Sequence, residues 1–201
     1  MGRFWHSFAD MSAIEAGGEF VLDRGDGVHV WDEDGRRYID ATAGLWYCNV
    51  GYGRGEIADA AAAQLRRLSA YSTFGEYSGH ATVAAVAMAN LDILEREALP
   101  KRALQLESDL ADALSPLAAH PLVQEVRAGT CVLAAVQLSA EAMAEDPTLT
   151  VRAIRACRQA GVMTRALATG GLQVSPALVI DQAGLDELRE AIRAALDVLV
   201  E

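Results

Sequence analysis

The stretch Val28-His29-Val30-Trp31-Asp32-Glu33-Asp34-Gly35-Arg36-Arg37-Tyr38-Ile39-Asp40 decides how the chain begins to fold. Residues 28–31 alternate around β-branched and aromatic side chains, the two-residue period of a half-buried strand. Asp34-Gly35 supplies the aspartate–glycine signal of a tight hairpin, and residues 36–40 form the returning strand. Upstream, Phe20-Val21-Leu22 reads as a further strand that runs into Asp23-Arg24-Gly25-Asp26-Gly27, a turn-rich stretch whose glycines supply positive φ. The expectation is a meander of three short antiparallel strands.

Downstream lies Ala43-Gly44-Leu45-Trp46-Tyr47-Cys48-Asn49-Val50-Gly51-Tyr52-Gly53, too irregular for a strand and too apolar for a linker. Loops of this composition serve binding, because a few rigid aromatics line a site at low entropic cost. A helix is expected over residues 55–70, with Ile57, Ala61, Leu65 and Leu68 on one face. Ser78 can cap a second helix that reaches Leu99, where Pro100 permits a kink or a restart. An amphipathic stretch over residues 102–114 ends at Ser115-Pro116. Residues 123–127 and 131–138 read as paired strands around Gly129. A helix over residues 148–159 stops at Gly161, a glycine signal of helix ends. Residues 162–165 and 172–174 read as further strands around Gly170-Gly171. Asp181 opens the last helix, whose stripe includes Leu185, Leu188, Ile192, Leu196 and Leu199. The sum is an α+β protein without internal repeats.

Composition narrows the function. The chain has 201 residues, enough for one large or two small cores. No apolar run approaches the roughly 20 residues of a spanning helix. Residues 1–8 hold one basic residue and no continuous apolar stretch, so no secretory signal is read and a cytoplasmic location is expected. A net charge of −11 argues against nucleic acid and anionic membranes, which reward basic patches. Cys48, Cys131 and Cys157 are odd in number and lack CxxC spacing, as for reduced thiols. His6, His29, His80 and His120 form no paired zinc motif.

Several stretches together resemble one family. Trp5-His6-Ser7-Phe8-Ala9-Asp10-Met11, the strand ending in Trp31-Asp32-Glu33-Asp34-Gly35-Arg36, and the aromatic loop from Ala43 to Gly53 resemble the N-terminal part of class III pyridoxal-phosphate aminotransferases, in the omega-transaminase branch. Tyr77-Ser78-Gly79-His80, His120-Pro121-Leu122-Val123, Thr164-Arg165-Ala166-Leu167 and Ser175-Pro176-Ala177-Leu178-Val179-Ile180 resemble that family's C-terminal small domain. The resemblance implies two parts: residues 1–76, with the β-meander, aromatic loop and helix, and residues 77–201, an aminotransferase-type small domain. It also implies that the central cofactor domain, with its Schiff-base lysine, pyridine-facing aspartate and main phosphate loop, is missing between them. Glu76 stands where the family has a threonine that reaches the cofactor phosphate, and a carboxylate there repels phosphate.

The residue inventory points the same way. Lys101 is the single lysine of the chain. It lies between Pro100 and Arg102, in a charged connection, whereas Schiff-base chemistry needs a desolvated, neutral amine. Transamination with pyridoxal phosphate is therefore not expected. By the resemblance, Trp46 walls the substrate pocket and Arg165 engages a substrate carboxylate, for which two parallel hydrogen bonds suit an arginine. Tyr47, Tyr52 and Cys48 belong to the same loop and can equally pack an interface. The vacated region is a candidate site for a planar or apolar ligand, haem first, held non-covalently by His80, His6 or His29, or by Cys48. Surface exposed by the lost domain calls for a homodimer. The alternatives are a structural or regulatory partner of a full-length aminotransferase, and a residual transaminase using supplied cofactor.

Overall fold

In the computed structural model, which describes residues 11–68 and 81–200, the strand alternation of the N-terminal block becomes a meander. A short helix α1 (Met11–Gly17) precedes β1 (Leu22–Asp26), β2 (His29–Asp32) and β3 (Arg37–Asp40), which pair antiparallel in that order. Gly35 turns the β2–β3 connection at φ +78°, and Arg36 N–H donates to Asp32 Oδ1 at 2.8 Å. The β1 strand occupies most of the stretch expected to be a turn. The reversal is confined to Gly27 and Val28, with Gly27 at φ +54°. Glycine is needed at position 25 because the Tyr52 ring packs over it, where an added Cβ would meet Cγ at 2.7 Å.

Next comes α2 (Ala43–Trp46), a single turn wound left-handed. Helix α3 (Gly55–Leu68) packs against α4 (Ala81–Arg96), and α5 (Leu99–Leu114) follows a corner made by Ala98 at φ +50°. Pro100 sits in the first turn of α5, where its missing N–H has no helical partner to lose, so the chain restarts rather than kinks. A 3-10 turn (Ser115–Ala119) leads to β4 (Val123–Arg127) and β5 (Ala134–Leu138). Residues 131–133, expected in the second strand, lie outside it. Then come α6 (Ala140–Glu145), α7 (Leu149–Gln159), β6 (Val162–Met163), β7 (Gly171–Val174) and α8 (Gln182–Asp197). Asp181 caps α8 by accepting from Gly184 N–H at 2.8 Å.

Two sheets result. The first has the order β1-β2-β3-β6, with β6 parallel to β3; the second is antiparallel, β4-β5-β7. Pairing of β3 with β6 joins the N-terminal block to the C-terminal one, and Ile39 and Ala41 enter the same buried cluster as Leu106, Leu110, Leu188 and Ile192. The expected boundary at residues 76 and 77 lies outside the described residues. Among the described residues no helix is long and apolar enough to cross a membrane.

The β4-β5-β7 sheet positions the site. On one face Val136, Leu138, Leu172 and Val174 pack into the core. Cross-strand pairs share a face, so the register Arg127↔Ala135↔Gln173 and Glu125↔Gln137↔Gly171 places these six on the other.

Candidate functional site

A cavity of about 660 Å³ opens on that second face. Its lining brings Trp46 from the aromatic loop to Arg165, with Arg127, Cys131, Leu167 and Gln173 around them. Trp46, Arg127 and Arg165, far apart in sequence, therefore meet at one apolar hollow with two guanidinium groups.

Asp40 sets how Trp46 arrives there. Ala43, Gly44, Leu45 and Trp46 all have positive φ, between 48° and 73°. Left-handed backbone costs about 1–2 kcal/mol per residue with a Cβ, so something must hold it. The buried Asp40 carboxylate does so. Oδ1 accepts from Thr42 N–H and Thr42 Oγ1, both at 2.8 Å, and Oδ2 accepts from Gly44 N–H and from Tyr52 Oη, both at 2.6 Å. Burial, reinforced by this bond to Asp40, raises the Tyr52 phenol above its ordinary value, so it remains the donor. Glycine is needed at position 44 twice over: for φ +58°, and because an added Cβ would lie 3.0 Å from Tyr52 Oη and 3.1 Å from Cys48 Sγ.

A buried relay then links the two pocket residues. Trp46 Nε1 donates to Ser175 Oγ at 2.9 Å, and Gln173 Nε2 donates to the same oxygen at 3.0 Å. Arg165 Nε donates to Gln173 Oε1 at 2.7 Å, while Thr164 Oγ1 donates to the Gln173 carbonyl at 2.6 Å. Gln173 and Ser175 are buried, so the relay is fixed in place. Its polar groups satisfy one another, as buried polar atoms must. Arg165 lines the cavity, and its terminal nitrogens have no carboxylate partner among the described residues.

The other sequence candidates fall elsewhere. Tyr47 is 91% exposed, at the end of the left-handed turn, and does not line the cavity. Tyr52 is a prop of that turn rather than a pocket wall, and Cys48 lies beside it. His29 points to α8, with Nε2 3.1 Å from Glu187 Oε2, and takes no part in the cavity. His6 and His80 lie outside the described residues. His120, set aside at first, pairs with Asp197 at 3.3 Å beside a separate hollow of about 240 Å³. Among the described residues no group of three or more His, Cys, Asp or Glu could hold a metal. Cys131 lines the cavity and is exposed, whereas burial pushes the Cys157 thiol up to about 12.

Sequence reasoning missed Asp40, Arg127, Gln173 and Ser175. Gln173 and Ser175 had a readable signal: two polar residues at a spacing of two, at the end of an apolar strand, share one face. Nothing local marked Arg127 as a cavity residue, since the glutamine that anchors its head over the cavity comes from β5.

The sequence model described as aminotransferase class-III matches residues 13–75 and 71–196. The chain belongs to the class III aminotransferases. It is a truncated member, matched in two blocks. A putrescine–pyruvate aminotransferase of Pseudomonas aeruginosa is 38% identical over 86 residues, covering 43% of this chain and 19% of that protein. An uncharacterized aminotransferase of Sinorhizobium fredii is 34% identical over 148 residues, covering 67% of this chain and 31% of its own length. The chain thus spans less than a third of either relative. Among solved structures, an (S)-enantioselective omega-transaminase from Thermomicrobium roseum superposes with a TM-score of 0.86 at 17% identity, covering 98% of this chain and 96% of that one. The omega-transaminase of Pseudomonas jessenii in complex with PMP gives 0.84 at 14% identity, covering 97% and 96%. These likenesses establish the fold.

Class III aminotransferases normally use pyridoxal phosphate. The residues around this cavity do not fit such a cofactor held through a Schiff base. The chain's single lysine, Lys101, is exposed in the first turn of α5 and does not line the cavity.

Proposed function

We propose that this class III chain binds a small carboxylate with an apolar or aromatic body in the Trp46–Arg165 cavity, and does not itself transaminate. One observation carries the reading: Arg165 is held by Gln173 through Nε, so its two terminal nitrogens, which have no carboxylate partner among the described residues, can grip a carboxylate side by side. Trp46, half-exposed and tied to the same relay, offers the apolar body a flat wall. The name of the Pseudomonas aeruginosa relative includes pyruvate, a carboxylate, which fits such a grip. Haem suits this cavity less well, since no described histidine borders it.

Calorimetric titration with benzoate and phenylacetate tests the binding. Saturable binding is expected, weakened about tenfold or more in Arg165→Gln, as loss of a charge-assisted pair implies. Unchanged affinity in that variant, or no saturable binding to the wild type, overturns the reading. Its second half rests on Lys101. Borohydride trapping with added pyridoxal phosphate, followed by mass mapping, should leave Lys101 without a stoichiometric adduct; a full adduct together with amine turnover sinks it.

Self-association as a homodimer belongs to the same proposal. Met88 and Leu91 on α4 are 58% and 55% exposed, and apolar surface of this kind favours burial against a partner. Light scattering at micromolar concentration should give a mass above that of the monomer. A stable monomer removes this part.

A further inference from the structure

The cavity holds a second guanidinium, and its position is as defined as the first. Arg127 ends β4 at the sheet edge, yet its head does not turn to solvent alone. Arg127 Nη2 donates to Gln137 Oε1 at 3.0 Å on β5, and lies 3.6 Å from the place where a Cβ on Gly171 would be, on β7. The side chain therefore crosses β5 and ends over the start of β7. It can do so because Ala135, its cross-strand partner, has no side chain beyond Cβ to obstruct it. Gln137 is itself buried and fixed by donating to the Thr169 carbonyl at 2.6 Å, and Thr169 Oγ1 donates back to Gln137 Oε1 at 3.2 Å. Arg127 and Arg165 are thus each anchored by a buried glutamine on the same sheet face.

The two anchors fix the spacing. Arg127 ends over Gly171 and Arg165 is bound to Gln173, two residues further along β7. Two residues of strand rise separate these points by about 7 Å. Two like charges so placed repel each other, and an anion between them relieves that repulsion. Glu125 is the competing group: its carboxylate pairs with Arg127 Nη1, and the two side chains are 50% and 47% exposed. Ion pairs this exposed hold weakly, so Glu125 tempers Arg127 without closing the cavity.

We infer that Arg127 forms a second anion subsite, so that the cavity prefers a short ligand with an acidic group at each end, of the succinate to glutarate class, over its monocarboxylate counterpart. This rests on the Arg165 grip proposed above and adds Arg127 to it. The first acidic group sits on Arg165, the second on Arg127, and the connecting carbons lie over Ala135 and Leu167.

Calorimetry on the full chain, at one pH and ionic strength, compares succinate and glutarate with butyrate and valerate. The diacids should bind about tenfold tighter, one charge-assisted pair's worth. In Arg127→Gln the diacids should fall to the monoacid level, losing several-fold more affinity than the monoacids lose. Glu125→Gln should do the reverse, tightening the diacids several-fold and leaving the monoacids alone; a merely structural role for the pair would move both classes together. Arg165→Gln should weaken all four. Equal affinity for diacids and monoacids in the wild type, or an Arg127→Gln variant that keeps the diacid preference, overturns the second subsite and leaves the Arg165 reading standing. If none of the four acids binds, the Arg165 reading fails and the second subsite with it.

Discussion

The two faces of the β4-β5-β7 sheet solve opposite problems with the same backbone. One face buries Val136, Leu138, Leu172 and Val174 against α5, α7 and α8, and needs only shape and hydrophobicity. The other sets Gln137 and Gln173 among small residues, satisfies every polar atom they carry, and uses them to hold two arginines over a hollow. The first face makes the chain fold; the second keeps specific groups in specific places. Successive residues of one strand, Leu172 and Gln173, belong to different tasks, so neighbouring substitutions should have different consequences.

The largest effect is expected on the apolar face. Leu172 is fully buried, and Leu172→Ala should cost about 2–5 kcal/mol of stability, as deletion of a core leucine generally does. Gln173→Leu, one residue on, should cost less, because Ser175 keeps Trp46 as a donor and the exposed Arg165 can turn its Nε to water, so few buried groups are left unpaired. It should nevertheless weaken carboxylate binding, since Arg165 loses its anchor. Urea unfolding and calorimetry on the two variants measure this contrast. A Gln173→Leu protein as unstable as Leu172→Ala would show that the faces are not separable.

How far this contrast was legible in the sequence depends on where the controlling partner lies. Helix α8 was readable because its cap, Asp181, and its stripe from Leu185 to Leu196 are local. The β2–β3 hairpin was readable because Asp34-Gly35 states its turn. The extent of β1 was not, because the glycine at position 25 answers to the Tyr52 ring packed over it, a tertiary contact, rather than to a turn. Helix α6 was missed for a related reason: it has no buried residue and hence no apolar stripe, although Ser139 accepts from Ala142 N–H as a cap. In the site, Trp46 and Arg165 were reached through family resemblance, and the structure brings both to one cavity. Arg127 and Asp40 were not reached, since the role of each depends on a register or a backbone turn that no short motif encodes.

Asp40 offers the next test, because it organises the aromatic loop as the glutamines organise the sheet face. Asp40→Ala leaves Thr42, Gly44 and Tyr52 with donors that lack their acceptor, in a turn already strained by positive φ at Ala43, Leu45 and Trp46. Each buried donor left unpaired costs about 1–3 kcal/mol, with water recovering part, so a loss of about 2–3 kcal/mol is expected. Trp46 should also move: its fluorescence should shift red as the indole leaves Ser175. Full stability with an unshifted Trp46 spectrum would mean that the left-handed turn holds itself.

The smallest effect tests a polar contact of a different kind, near solvent rather than within the sheet. Arg54 Nε donates to the Val50 carbonyl at 2.6 Å, and its terminal nitrogens grip Glu97 at 2.8 and 2.7 Å, tying the aromatic loop to the end of α4. The bond from Arg54 holds the Glu97 carboxyl below its ordinary value near 4.5, and Glu97 in turn raises Arg54. The sign follows from linkage: a carboxyl whose folded value is depressed stabilises fully above its unfolded value, and that contribution disappears as the pH falls through the folded one. Both side chains keep contact with water, at 23% and 30% exposure, so the contribution is held to about 1 kcal/mol or less. Stability measured from pH 7 downward should therefore fall less steeply in Glu97→Gln than in the wild type below about pH 4.5, with the two curves separated by a constant offset above it. Parallel curves through the acid range would show that Glu97 titrates alike in the folded and unfolded chain, and that the latch contributes geometry without charge.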